Sequence, residues 1–189
     1  MKIEDYPIFS EHMDTLKEMS KDTSLGQPQY MTERTKEAVN FDLVKRAYTN
    51  NLGLSEETAS SCDSIAFLPA GSLFIEFKNG KVKPAEIKTK IRDSLLIYGG
   101  ITGQSIADTR TAMEFILVYN EQKNPDRSPS ASPPDDAPSR VTIAEHLAIR
   151  ANVEHIRFDL ERFQKLYFSA VHTYTPEEFE KYLTEKGLS

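Results

Sequence analysis

CDSIAFLPAGSLFIEFKNG, residues 62–80, holds two short apolar runs, Ser64–Leu68 and Leu73–Lys78, separated by Pro69-Ala70-Gly71-Ser72. Runs of this length, rich in Ile, Phe and Leu and bounded by Pro, Gly and Asn, predict a β-hairpin. A four-residue connection would pair Leu68 with Leu73, which puts Asp63 opposite Lys78 and Ile65 opposite Glu76. Opposed residues share a sheet face, as do alternate residues along a strand. Asp63, Glu76 and Lys78 then project from one side at one end of the hairpin, while Leu68, Leu73, Ile75 and Phe77 form an apolar opposite face. A slip of one residue would scatter the three charges.

Two carboxylates and an ammonium among apolar strands require an explanation, because buried charge is costly unless it is paired or bound to a metal. Adjacent ionised carboxylates repel, and a divalent cation relieves that repulsion. Carboxylate oxygens with room for water suit Mg²⁺ or Mn²⁺. A neighbouring lysine can orient the attacking water or stabilise charge developing in a transition state. The competing reading is a cross-strand Asp63–Lys78 ion pair, with Glu76 turned to solvent.

Outward from the hairpin, Pro84 stands where a helix begins, and Ile87, Ile91, Leu95 and Tyr98 carry an apolar stripe to Gly99-Gly100. A strand is expected at Ala112–Tyr119. Before the hairpin, a weak amphipathic helix is predicted over 9–20. A second helix is predicted from Thr32, as N-cap, to Tyr48, with Phe41, Val44 and Tyr48 facing inward. After the strand, residues 120–140 hold five of the ten prolines and few apolar residues, and are expected to form a flexible loop. The remainder predicts helices at 142–151 and 161–171, a strand at 155–159, and a last helix opened by Thr175-Pro176-Glu177-Glu178. Phe158, Phe163, Tyr167, Phe168, Tyr174 and Phe179 are expected to be core residues and not base-stacking platforms.

The order helix, strand, strand, lysine-rich helix, strand around Cys62-Asp63 … Phe74-Ile75-Glu76-Phe77-Lys78-Asn79-Gly80 resembles the PD-(D/E)XK, or restriction-endonuclease-like, nuclease superfamily over roughly residues 30–119. Residues 141–189, outside it, are expected to add mostly helical structure packed on the core in a single domain; the resemblance itself implies an α/β fold with a mixed central sheet flanked by helices. It implies Mg²⁺ or Mn²⁺ held by Asp63, Glu76 and the backbone carbonyl of Phe77, with Lys78 beside them. Many members add an acid from the preceding helix. Glu37, one turn before Phe41 on the inward stripe, is the candidate, with Glu33 second. Cys62 stands where the family has proline. On the following helix Tyr98 fits the pattern of an exonuclease-like subgroup, and Ser94 departs from it.

Composition bounds the rest. With 39% hydrophobic and 28% charged residues, a globular domain is expected. The segment MKIEDYPIFS lacks the features of a secretory signal, and one cysteine excludes an internal disulfide, so the cytoplasm is the expected compartment, with no membrane partner. Net charge is −6. Yet between Lys78 and Arg92 six bases oppose one acid, a local excess of +5. Lys81, Lys83, Lys88 and Arg92 are therefore expected to contact nucleic-acid phosphates. The expected function is metal-dependent phosphodiester hydrolysis, with DNA ahead of RNA as substrate and a homodimer if both strands are cut. The alternative is a non-catalytic interaction protein that retains the nuclease fold. His12, His146, His155 and His172 lack metal-ligand spacing, Cys62 is expected to be a buried hydrophobe, and Gly99–Gly103 a turn.

Overall fold

The computed structural model describes residues 5–24, 26–68, 71–125 and 155–187. It is an α/β structure around a six-stranded mixed sheet. The short helix α1 (Pro7–Ser10) leads into β1 (Met13–Thr15) and α2 (Leu16–Met19). A two-stranded ribbon, β2 (Lys21–Asp22) and β3 (Gln29–Tyr30), stands beside the sheet. Then come β4 (Glu37–Asn40), α3 (Phe41–Asn51), β5 (Ser64–Leu68), β6 (Gly71–Lys78), α4 (Pro84–Thr102), α5 (Ile106–Ala112) and β7 (Met113–Tyr119). Near the C-terminus lie β8 (Ala170–Tyr174) and α6 (Pro176–Glu185). The sheet order is β1-β4-β5-β6-β7-β8. Pairing is antiparallel from β1 to β6 and parallel from β6 through β8.

Side-chain alternation along the strands feeds two apolar layers. Ile65, Phe74, Phe115 and Leu117 meet α3 and α4, through Phe41, Val44, Ile87, Ile91 and Tyr98. Leu73, Ile75, Ile116 and Val118 meet α6 on the other face, through Phe179 and Leu183. A sheet covered on both faces needs near-continuous apolar strands, which β6 and β7 supply. Glu76 lies on the α4 face of β6 and interrupts it.

The predicted hairpin, α4, β7 and α6 are present. Pro84 starts α4, Gly103 closes it with φ at 72°, and the Thr175/Glu178 capping box opens α6. Phe163, Phe168 and Phe179 are core residues, as expected. The expected helix over 32–48 is corrected: residues 37–40 are a strand, and α3 begins only at Phe41. Ala38 and Val39 are buried between β1 and β5, and the Asn40 side chain accepts the Leu43 N–H as N-cap. Thr32 instead accepts the Arg34 N–H and bonds Glu180.

The helix over 9–20 is also broken, because Phe9 and Leu16 belong to apolar layers on opposite sheet faces. Residues 155–159 form no strand, and Phe158 and Asp159 adopt positive φ. The helix predicted over 161–171 reduces to a 3₁₀ turn, Glu161–Phe163. Residues 170–174, where buried Val171 and Thr173 alternate with His172 and Tyr174, add β8 alongside β7. The capping box at Ser105 and Asp108 opens α5, which the sequence reading lacks. The helix expected at 142–151 and most of the loop at 120–140 lie outside the described residues. Among the described residues no helix is long and apolar enough to cross a membrane.

Candidate metal centre

Leu68 pairs with Gly71 and Ser64 with Ile75, so the hairpin is two residues tighter than a four-residue connection would make it. An even slip keeps every side chain on its face but changes the partners. Asp63, immediately before β5, stands against Glu76 instead of Lys78. The Phe77 N–H donates to Asp63 Oδ2 at 2.6 Å and fixes the carboxylate at this end of the hairpin. Glu76 is 1% exposed, which rules out the reading that turned it to solvent.

The lysine that reaches the acids is Lys90, from α4. Its Nζ lies 2.6 Å from Glu76 Oε1 and 3.4 Å from Asp63 Oδ1. Glu76 Oε2 is buried with no hydrogen-bond partner. Lys78, placed beside the acids by the sequence reading, points its Nζ toward Glu86, 3.9 Å away, and lines the mouth of the adjoining cleft. Glu37 is corrected outright: it is exposed at the start of β4, opposite Thr15. Glu33, the second choice, is an exposed partner of Lys17. The acid that α3 does bring to the site is Asp42, in its first turn, hydrogen-bonded by the Ser61 hydroxyl.

A cleft of about 400 Å³ opens beside Asp63, lined by Asp42, Asp63, Lys78 and, from the β2–β3 ribbon side, Lys21 and Asp22, while Glu76 and Lys90 lie outside its lining. The Asn79 amide ties that ribbon to the end of β6, donating to Asp22 Oδ2 and Gln29 Oε1, each at 2.8 Å. Below, the Ser94 hydroxyl accepts the Cys62 N–H at 2.8 Å and anchors the chain entering β5 to α4. Cys62 is buried, and burial pushes its thiol well above the usual range, so it is an inert packing residue.

Burial dominates the electrostatics. It pushes the Asp63 carboxyl up to about 6 against the pull of Lys90 and the Phe77 N–H, with Asp42 adding to the rise. Burial, then the Asp63 charge, raises Glu76 well above the carboxylate range. For Lys90 burial acts downward, but Asp63 and Glu76 outweigh it and hold the ammonium charged.

Among the described residues no group of three or more His, Cys, Asp or Glu side chains stands arranged to hold a metal ion. Two carboxylates with a backbone carbonyl and retained waters form the kind of donor set Mg²⁺ takes, and a three-acid cage is not needed. The unpartnered Glu76 oxygen is a hard ligand of the right kind. In an antiparallel pair one residue's N–H and C=O point to the same neighbour. The Phe77 carbonyl therefore lies on the same side of β6 as Asp63.

The expected phosphate contacts divide. Lys81 is exposed, and Lys83 is exposed with Glu86 at 2.7 Å. Lys88 pairs with Asp159, and the Arg92 guanidinium lies 5.6 Å from the Phe163 ring centre, so both hold the 155–168 segment on α4. Asp42 and Lys90 were both missed by the sequence reading. The signal for Asp42 was Asn40-Phe41-Asp42, a helix start with an acid in the first turn. For Lys90 it was helical spacing, three residues after Ile87 and four before Ser94, on the buried side of α4. No protein-family model, curated protein or solved structure matches the chain.

Proposed function

We propose that the protein is a divalent-metal-dependent phosphodiesterase on a restriction-endonuclease-like core, with DNA as its substrate. One observation carries this reading: Asp63 lines a cleft and shares the Lys90 ammonium with Glu76, whose buried Oε2 lacks a partner. The sheet supports it, since an antiparallel hairpin carrying an acid and an acid-x-lysine is followed by a lysine-rich helix and a parallel strand.

Asp63, Glu76 and the Phe77 carbonyl would hold Mg²⁺ or Mn²⁺, with Asp42 in the helix-borne position first given to Glu37. When bound, the ion would polarise a phosphoryl oxygen and acidify a water. Lys78 at the cleft mouth, with Lys81 and Lys83 beyond it, offers ammonium groups to the phosphates of the strand being cut. Without the ion, Lys90 supplies the charge beside the acids.

Purified protein incubated with Mg²⁺ or Mn²⁺ and plasmid and oligonucleotide DNA should cut it, and Glu76→Gln should abolish the cutting. Equal behaviour of the two proteins would sink the reading, and cleavage confined to RNA would move the substrate class. A non-catalytic interaction protein is the second reading. It is favoured by Lys90, which already offsets part of the acid pair's charge, and by the internal use of Lys88 and Arg92. On that reading calorimetry finds no Mg²⁺ or Mn²⁺ binding.

A further inference from the structure

We infer that Lys90 is an internal counter-ion, which holds the Asp63–Glu76 pair when no divalent cation is bound and is released toward Glu86 when one binds. This rests on reading the acid pair as a metal site. One ammonium serves two carboxyl groups, and its hydrogen bonds reach Glu76 Oε1 and Asp63 Oδ1 but not the buried Glu76 Oε2. A divalent cation would balance both carboxylates and give that oxygen a partner.

Lys90 cannot share the position. An ammonium a few ångströms from a divalent ion in a buried site meets strong like-charge repulsion. The lysine has a way out, because its side chain is 29% exposed on a flexible four-carbon stem. It also has a destination. Glu86 lies four residues earlier on α4, the spacing at which a glutamate and a lysine pair along a helix. The Lys90 charge already acts on the Glu86 carboxyl, behind the closer Lys83 and Lys78. Cation binding would therefore move an ammonium from the acid pair to Glu86, near the cleft-lining Lys78.

Two measurements test this. In the wild-type protein, amine acylation read residue by residue by mass spectrometry should find Lys90 protected without metal and labelled at saturating Mn²⁺, with exposed Lys165 unchanged. By calorimetry, Lys90→Met should bind Mn²⁺ at least about tenfold more tightly than wild type. Unchanged Lys90 labelling while calorimetry shows Mn²⁺ bound overturns the proposal, and so does Lys90→Met binding no tighter. Should Mn²⁺ bind neither protein, the metal reading falls and takes this one with it. Should Mn²⁺ bind and release Lys90 while DNA stays uncut, only the proposed activity falls.

Discussion

At the scale of single residues, the acid pair strains the fold that holds it. A buried carboxyl whose folded-state proton affinity is raised keeps its proton to higher pH than the unfolded chain does. Stability then falls as pH climbs through the ordinary value of 4.5 for Glu76 and 3.8 for Asp63. Glu76→Gln removes one of these titrating groups while leaving Lys90 an oxygen to donate to. It should stabilise the protein at pH 7 by on the order of 1 kcal/mol, a Tm rise of about 2–4 °C for a chain of this size, and the gain should vanish near pH 4. Thermal melts at the two pH values measure it; a lower Tm at pH 7 would mean Glu76 stabilises the fold. Lys90→Met leaves both acids without their cation and should lower Tm, while the double variant recovers much of the loss. Additive effects in that cycle would deny the coupling. Asp63 and Glu76 were legible in the sequence because an acid between Ile75 and Phe77 stands out. Lys90 was not, since a lysine in a lysine-rich stretch looks like solvent-facing surface until the face of α4 is known.

At the scale of elements, two attachments carry testable weight. Ser94 joins α4 to the chain entering β5, and Ser94→Ala would leave the buried Cys62 N–H without an acceptor. The expected cost is about 1–3 kcal/mol, with weaker Mn²⁺ binding as Asp63 loosens. Full stability and unchanged binding would show that another acceptor takes over. Glu114 clamps α6 to the sheet by accepting from the Tyr182 hydroxyl and pairing with Lys186 at 3.1 Å and His172 at 3.3 Å. The bond to His172, ahead of those to Tyr182 and Lys186, holds its carboxyl down at about 2. A depressed carboxyl contributes stability above its ordinary value of 4.5, lost as pH falls toward 2. Glu114→Gln should therefore melt lower than wild type at pH 7 and close that gap as the solution is acidified. A gap that stays constant would assign Glu114 no charge-dependent role. These elements also show where sequence patterning stops. Hairpin, α4 and α6 announce themselves by turn residues, Pro84 and a capping box. The Glu37–Asn40 strand and β8 are short, and only pairing with β1, β5 and β7 makes them strands.

For the whole molecule the deciding quantity is how few cations among the described residues face the cleft, in a chain of net charge −6. Of the basic stretch 78–92, Lys88 and Arg92 are engaged by Asp159 and Phe163, and Lys90 by the acid pair, which leaves Lys78 in the cleft lining and exposed Lys81 and Lys83 just after it in the chain. Each phosphate neutralised contributes close to one unit to the dependence of log affinity on log salt. With three lysines engaged, duplex DNA binding by uncleaving Glu76→Gln should fall with a slope of about −3 between 50 and 200 mM salt, followed by fluorescence anisotropy. Replacing all three lysines by Ala should bring the slope near zero while the fold, checked by thermal melting, persists. A slope near −5 that Lys88→Ala and Arg92→Ala reduce would mean that the 155–168 segment lifts away from α4 and the full basic stretch meets DNA. A flat dependence in Glu76→Gln itself would leave the acidic surface unopposed and favour the interaction-protein reading over the nuclease.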